Sequence, residues 1–374
     1  MRRLAFLLWL AATPGLAQID TAEAAREAAA RLEAAGALMA NAGGSGRERI
    51  AALTETVRAY EDGLAALREG LRRVAIRQQT LEAELAAREA ELSQLLGALQ
   101  SMGRTPAPML LLHPNGPLGV ARGGILAADV TPILQARATD LQAQLGELAE
   151  LKALQDGAAG TLEDGLMGVQ QARAELADAV ASRTDLPRRF TEDPVRTALL
   201  VAGADTLAAF ADGLADVVDG GLGGPVPDAG AAKGTLSLPV QGRILRQAGE
   251  ADAAGITRPG LILATHPRAL VTSPAAATIR FRGPLLDYGN VLILEPAPGV
   301  LFVLAGLAES FGGPGQVVPE GAPVGLMGGV TPSVDAILTE TAAGQAGNRT
   351  ETLYLEVREG QSPVDPAEWF DIGD

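Results

Sequence analysis

The stretch "ETLYLEVREG", Glu351 to Gly360, decides how this chain is read. Leu353, Leu355 and Val357 alternate with Thr352, Tyr354, Glu356 and Arg358, which is the period of a strand with one apolar and one polar face. The polar face is laid out like a site, yet nothing on it binds a metal well or attacks a carbonyl. Runs of the same texture precede it from Thr235 onward: "SLPVQGRIL", "GLILA", "ALVTS", "TIRFRG", "NVLILE", "LFVLAG" and "APVGLMG". Their spacing of about ten residues, with Gly and Pro between, predicts a small all-β domain over 234–374.

Moving toward the N-terminus, "DGGLGGPVPDAGAAKG" (219–234) has the composition of a flexible linker. Before it, residues 194–218 follow a helical pattern with Val195, Leu199, Leu207, Phe210, Leu214 and Val217 on one side. Alone between a linker and what precedes it, such a helix must lay its apolar face on something else.

A heptad starts at Ile50 and continues through Leu53, Val57, Tyr60, Leu64, Leu67, Leu71, Val74, Gln78, Leu81, Leu85, Arg88, Leu92, Leu95 and Leu99. Alternating spacings of three and four define a coiled-coil seam, with Gln78 and Arg88 as polar interruptions. A second run has Leu141, Leu145, Leu148, Lys152, Gln155, Ala159, Leu162, Leu166, Val169, Arg173, Leu176 and Val180. Pro106, Pro108, Pro114 and Pro117 forbid a continuous helix between the two. Residues 18–186 therefore read as a long antiparallel coiled-coil hairpin with a Pro-rich connector near 100–135. A coil between separate chains is the alternative.

The chain opens "MRRLAFLLWLAATPGLA": a basic n-region, a short apolar run and small residues at Gly15 and Ala17, the pattern of a cleavable secretory signal over 1–17. Removing Arg2 and Arg3 leaves 28 basic against 45 acidic residues, a charge of -17. That balance argues against nucleic acid as a partner, and no later segment is long and apolar enough to embed in a membrane. The chain has no cysteine and only two histidines, His113 and His266, so thiolate chemistry and a histidine-rich metal site are both excluded. No cofactor is expected.

With these residues in view, the order of the β runs resembles a LytM-type zinc endopeptidase domain, of the duplicated hybrid motif type. In active members of that family a H-x-G-x-D segment and the second His of H-x-H hold zinc, while a "YAHL" histidine and the first of the H-x-H pair serve catalysis. Here "RPGLI" places Arg258 and Ile262 at the first two ligands, "VLAGL" places Gly306 at the catalytic His, and "TLYLEVR" places Thr352 and Tyr354 at the H-x-H pair. Catalytic zinc needs about three protein ligands plus an open position, so the resemblance implies a non-enzyme.

Signal, coil, connector and ligand-free domain in this order resemble the EnvC-type murein hydrolase activators. That resemblance implies an α+β multidomain, periplasmic protein at the division site. It implies a peptidoglycan N-acetylmuramoyl-L-alanine amidase bound in the emptied groove (Arg258, Ile262, Gly306, Thr352, Tyr354, Glu356, Arg358), and an FtsEX-type membrane complex bound by the coil. It also implies that the amphipathic regulatory helix, in the segment 187–233, silences the groove through Leu207, Phe210 and Leu214. Two other readings stand beside it: a zinc metallopeptidase that cleaves peptidoglycan cross-links, and a structural adaptor that binds cell wall.

Overall fold

The computed structural model describes residues 15–41, 46–103, 116–183, 186–215, 227–251, 255–343 and 351–372. Residues 1–14 of the segment expected to be a signal, residues 104–115 of the connector with His113, Val217 and residues 219–226 of the linker lie outside the described residues. Three long helices come first: α1 (Gly15–Ala40), α2 (Arg47–Gly103) and α3 (Gly116–Ala181). No helix among the described residues is long and apolar enough to cross a membrane.

The chain divides into two compact units. One takes in Ala66–Leu162. Within it α2 and α3 are antiparallel, because Arg77 reaches Glu147 (2.7 Å and 3.0 Å) while Arg88, further along α2, reaches Asp140, earlier on α3 (2.7 Å). Val74, Leu81 and Leu151 make the apolar cluster here. On α3 the burial departs from the expected register: Leu151 and Ala158 are buried while Lys152 is exposed. A strict continuation of the heptad through Lys152 would bury an ammonium, and a small rotation of the helix exchanges it for its apolar neighbour.

The second unit takes in Ala29–Ala65 and Glu163–Ile337 with the C-terminal strands. At its helical base, Tyr60 packs onto Gly168 so closely that a Cβ there would overlap the phenol ring. Leu32 of α1 fills the space left by Gly63 and Gly165. Small residues thus admit a third helix to the pair.

Ten antiparallel strands follow: β1 (Gly242–Arg246), β2 (Leu261–Thr265), β3 (Leu270–Thr272), β4 (Ala277–Pro284), β5 (Asn290–Ala297), β6 (Val300–Ser310), β7 (Val317–Val318), β8 (Pro323–Met327), β9 (Glu351–Glu359) and β10 (Ser362–Val364). The main sheet runs β1-β2-β9-β6-β5-β4-β7, with β10 on β9, and β8 bridging β3 to β6. Period-2 alternation sorts its residues into two faces. Leu353, Leu355 and Val357 join Leu261, Leu263, Leu292, Leu294, Phe302 and Leu304 in the main core, closed by Trp369 and Phe370 against Phe302. The opposite face carries a second apolar cluster and the site.

Where one helix was expected over 194–218, the structure has two, α4 (Pro194–Gly203) and α5 (Leu207–Ala215). Each has its own start signal. Asp193 accepts from the amides of Val195 and Arg196 before Pro194, and the Thr206 hydroxyl accepts from the amide of Ala209.

Candidate functional site

Strands β2, β9 and β6 lie side by side, and their register aligns Ile262, Tyr354 and Ala305 in a row across the sheet. One step along, Thr352 pairs with Ala264. A cleft of about 440 Å³ opens on this row, lined by Arg258, Ile262, Asp287, Tyr288, Ala305, Gly306, Thr352 and Tyr354. Five residues assigned to the groove from sequence, spread over nearly a hundred positions, therefore line one cleft. Glu356 and Arg358 lie further along the same face of β9 and do not line it.

Two features of the backbone shape the cleft. Gly306 has φ +95°, and a Cβ on it would stand 2.6 Å from the Thr352 carbonyl oxygen. Gly260 lets the Tyr354 ring lie against the chain, since a Cβ there would stand 2.7 Å from a ring carbon.

Asp287 and Tyr288 were not singled out from the sequence. They sit in the turn between β4 and β5, where Leu285 donates to the Gly289 carbonyl (3.0 Å) and Leu286 is held at φ +48°. The signal was available in "LLDYGN", a polar and an aromatic residue placed just before a strand whose glycine turns the chain.

The lining is a guanidinium, one carboxylate, two phenols, a threonine hydroxyl and apolar wall. No imidazole contributes, and Asp287 is the one carboxylate in the lining, so these residues do not fit a catalytic zinc. What they offer is recognition: hydrogen-bond donors and aromatic surface around a shallow apolar floor.

Beyond the cleft the polar side of β9 becomes an ionic chain. The Tyr354 hydroxyl donates to Glu356 (2.7 Å), and Arg358 donates to the other oxygen of Glu356 (2.6 Å). Burial, reinforced by the Glu356 carboxylate, pushes the Tyr354 phenol well above the ordinary tyrosine range. Glu356 and Arg358 are 3% and 1% exposed. Arg358 also donates to Asp212 of α5 and to the Gln361 carbonyl (2.8 Å).

Helix α5 buries Leu207, Phe210 and Leu214 against Phe281, Leu285, Val291, Ile293, Leu301, Val303 and Ala305. Phe210 meets Phe281 edge to face at 4.6 Å. Arg280 donates to the Leu214 carbonyl (3.1 Å), closing the C-terminal end of the helix. Helix α4 contributes less: Val195 and Leu199, expected on the buried side, are both 68% exposed. The segment before it is tied to the sheet edge. Arg189 pairs with Glu295 (2.8 Å), the Val317 amide donates to the Pro187 carbonyl (2.9 Å), and Phe190 is buried beneath Arg280.

No protein-family model matches the chain. An uncharacterized protein of Neisseria meningitidis serogroup B is 26% identical over 138 residues, which is 37% of this chain and 20% of that one. The chain thus spans a fifth of the length of the curated relative it matches. Among solved structures, Helicobacter pylori Csd3 is matched at 20% identity over 37% of this chain and 35% of that chain, with a TM-score of 0.28. A zinc containing peptidase from Vibrio cholerae is matched at 21% identity over 38% of this chain and 41% of that one, with a TM-score of 0.29. A chain of the SpoIIQ–SpoIIIAH pore forming complex is matched at 18% identity over 37% of this chain and 92% of that one, again with a TM-score of 0.29.

Proposed function

We propose that this chain is a non-catalytic activator of peptidoglycan amidases, acting in the periplasm at the division site. Its β unit is a degenerate LytM-like domain that binds the amidase, α5 silences it, and the long helices receive the signal of an FtsEX-type membrane complex. The observation that carries the reading is the convergence of Arg258, Ile262, Gly306, Thr352 and Tyr354 in one cleft. These are the positions where active LytM-type domains place ligands and catalytic histidines, and here their chemistry serves binding.

The inhibitory half of the reading draws on the neighbourhood of that cleft. Tyr354 lines the cleft and also packs against the cluster that α5 completes, so one residue touches both. A helix tethered within the chain competes at high effective concentration, so modest affinity is enough to keep a partner out.

The experiment is release of dye from labelled peptidoglycan by a purified periplasmic amidase. The native chain should stimulate it little. A chain carrying Phe210→Ala and Leu214→Ala should stimulate it strongly, and neither protein should release dye without the amidase. Failure of the double variant to stimulate any amidase, or release by the chain alone, would overturn the reading.

A further inference from the structure

The cleft is polarised, with arginines on the side of β1 and β2 and its carboxylate on the side of β5. The row of Ile262, Tyr354 and Ala305 extends to Arg246 of the edge strand β1, which pairs with Ile262, and to Val291 of β5, which pairs with Ala305. Arg243 pairs with Ala264, the residue opposite Thr352. Residues three apart on a regular strand lie on opposite faces. The bulge between Ile244 and Arg246 breaks that alternation. Arg243 and Arg246 therefore both hold register positions on the face of the cleft, while Ile244 packs on the main core. Arg258, at the entry to β2, lines the cleft from this side, and Asp287, in the turn before β5, lines it from the other.

Neither the Arg258 nor the Asp287 side chain has a hydrogen bond or an ion pair among the described residues. The two are held apart instead of neutralising each other. From β2 to β5 is three strand spacings, roughly 14 Å. The floor between holds Ile262, Tyr354 and Ala305, with the Tyr288 ring 6.1 Å from that of Tyr354. An extended peptide advances about 3.4 Å per residue, so about three residues fill the gap between side chains that reach inward from both ends.

We propose that this cleft is a receptor for a short peptide with both ends free. The guanidinium of Arg258 takes the carboxylate through its fork of donors, Asp287 takes the ammonium, and the chain between lies across Tyr354. Arg243 and Arg246 make this end locally positive in a molecule whose formal charge is -15, which is otherwise hostile to anions. The inference does not rest on the activator reading, since it concerns what the chain binds by itself.

The cleft is open with α5 in place, so the native full chain is the protein to test. Titration calorimetry with trialanine should show saturable binding. N-acetylation and C-terminal amidation of the peptide should each weaken binding about tenfold. General attraction to an acidic protein would instead make the amide, with its net positive charge, bind best. On a chain with Arg258→Gln amidation should have no further effect while acetylation still weakens binding, and on Asp287→Asn the converse should hold. Arg243→Gln should weaken binding less than Arg258→Gln and lower its dependence on salt.

No saturable binding of trialanine at millimolar concentration, tightest binding of the amide, or end preferences unchanged in the Arg258→Gln and Asp287→Asn chains would overturn the inference. Peptide binding with no amidase stimulation by the Phe210→Ala, Leu214→Ala chain would support it and remove the activator reading. Stimulation without peptide binding would remove this inference alone.

Discussion

Gly306 sits at φ +95° with the Thr352 carbonyl oxygen where a side chain would begin. A histidine placed there would meet both a left-handed backbone and a backbone atom it cannot push aside, at a cost of about 1–3 kcal/mol. The other positions that the resemblance assigns to zinc are different, since Arg258, Ile262 and Tyr354 line the cleft with side chains of their own. A chain with Arg258→His, Ile262→Asp and Tyr354→His should bind one zinc ion in equilibrium dialysis. It should still leave peptidoglycan intact, because position 306 cannot supply the catalytic imidazole. Absence of zinc binding would show that Arg258 and Ile262 are misassigned.

Tyrosine titration probes the same scale. Burial raises the phenols of Tyr60 and Tyr354, the latter helped by Glu356, and the chain has three tyrosines. A raised pKa in the folded state means that stability from the neutral phenol is present below about pH 10 and is lost as pH rises through the raised value. Absorbance near 295 nm should therefore show the Tyr354 phenol ionising only together with alkaline unfolding, and the Tyr60 phenol ionising above the ordinary tyrosine range. Complete ionisation of the native protein in the ordinary tyrosine range would contradict the burial of both.

At the scale of elements, α5 is nine residues long, too short to be helical alone in water, so its order comes from the sheet beneath it. Phe210 is fully buried, and Phe→Ala at such a site costs about 3–5 kcal/mol. That is more than a two-turn helix holds in reserve. Phe210→Ala should abolish hydrogen-exchange protection of the amides at 210–214 and leave protection of β5 and β6 in place. Protection retained at 210–214 would mean that the salt link to Arg358 and the Arg280 cap hold α5 without its aromatic anchor.

The anchors Leu207, Phe210 and Leu214 were legible from periodicity, as was β9 with its two faces. The break between α4 and α5 was legible only from Thr206 as a cap, a signal weaker than the apolar stripe that runs through it. Val195 and Leu199 show why the stripe misleads: periodicity says which side is apolar, and the reach of the underlying sheet decides how much of it is covered. The pairing of Arg358 with Asp212 was invisible for a similar reason. The two lie 146 residues apart in the chain.

At the scale of the whole molecule, the question is what joins helices to sheet within the second unit. Glu61 of α2 is 7% exposed and accepts from Arg173 of α3 (2.7 Å) and from the Leu270 amide of β3 (3.0 Å). Arg58 donates to the Thr272 hydroxyl (2.7 Å), and Gln241 donates to Asp62. One turn of α2 thus holds the helical base to the edge of β3, and Glu61 is the residue common to both sides. The heptad marks Val57, Tyr60 and Leu64 as seam residues and gives Glu61 no role, because its partners lie 112 and 209 residues away.

Burial raises the Glu61 pKa even though the Arg173 guanidinium opposes the shift. A carboxyl group raised in the folded state contributes stability that is complete below its unfolded value, near 4.5, and lost as pH rises through the folded value. Glu61→Gln keeps the shape and an oxygen that can accept both hydrogen bonds, and it removes the titration. The stability of the native chain relative to Glu61→Gln should therefore fall as pH is raised above about 4.5, read as the difference in Tm at each pH. Glu61→Ala should cost about 3–5 kcal/mol at neutral pH by leaving Arg173 buried without its carboxylate. A difference between native and Glu61→Gln chains that does not change with pH would mean that the Arg173 guanidinium and the Leu270 amide fully offset the desolvation of Glu61.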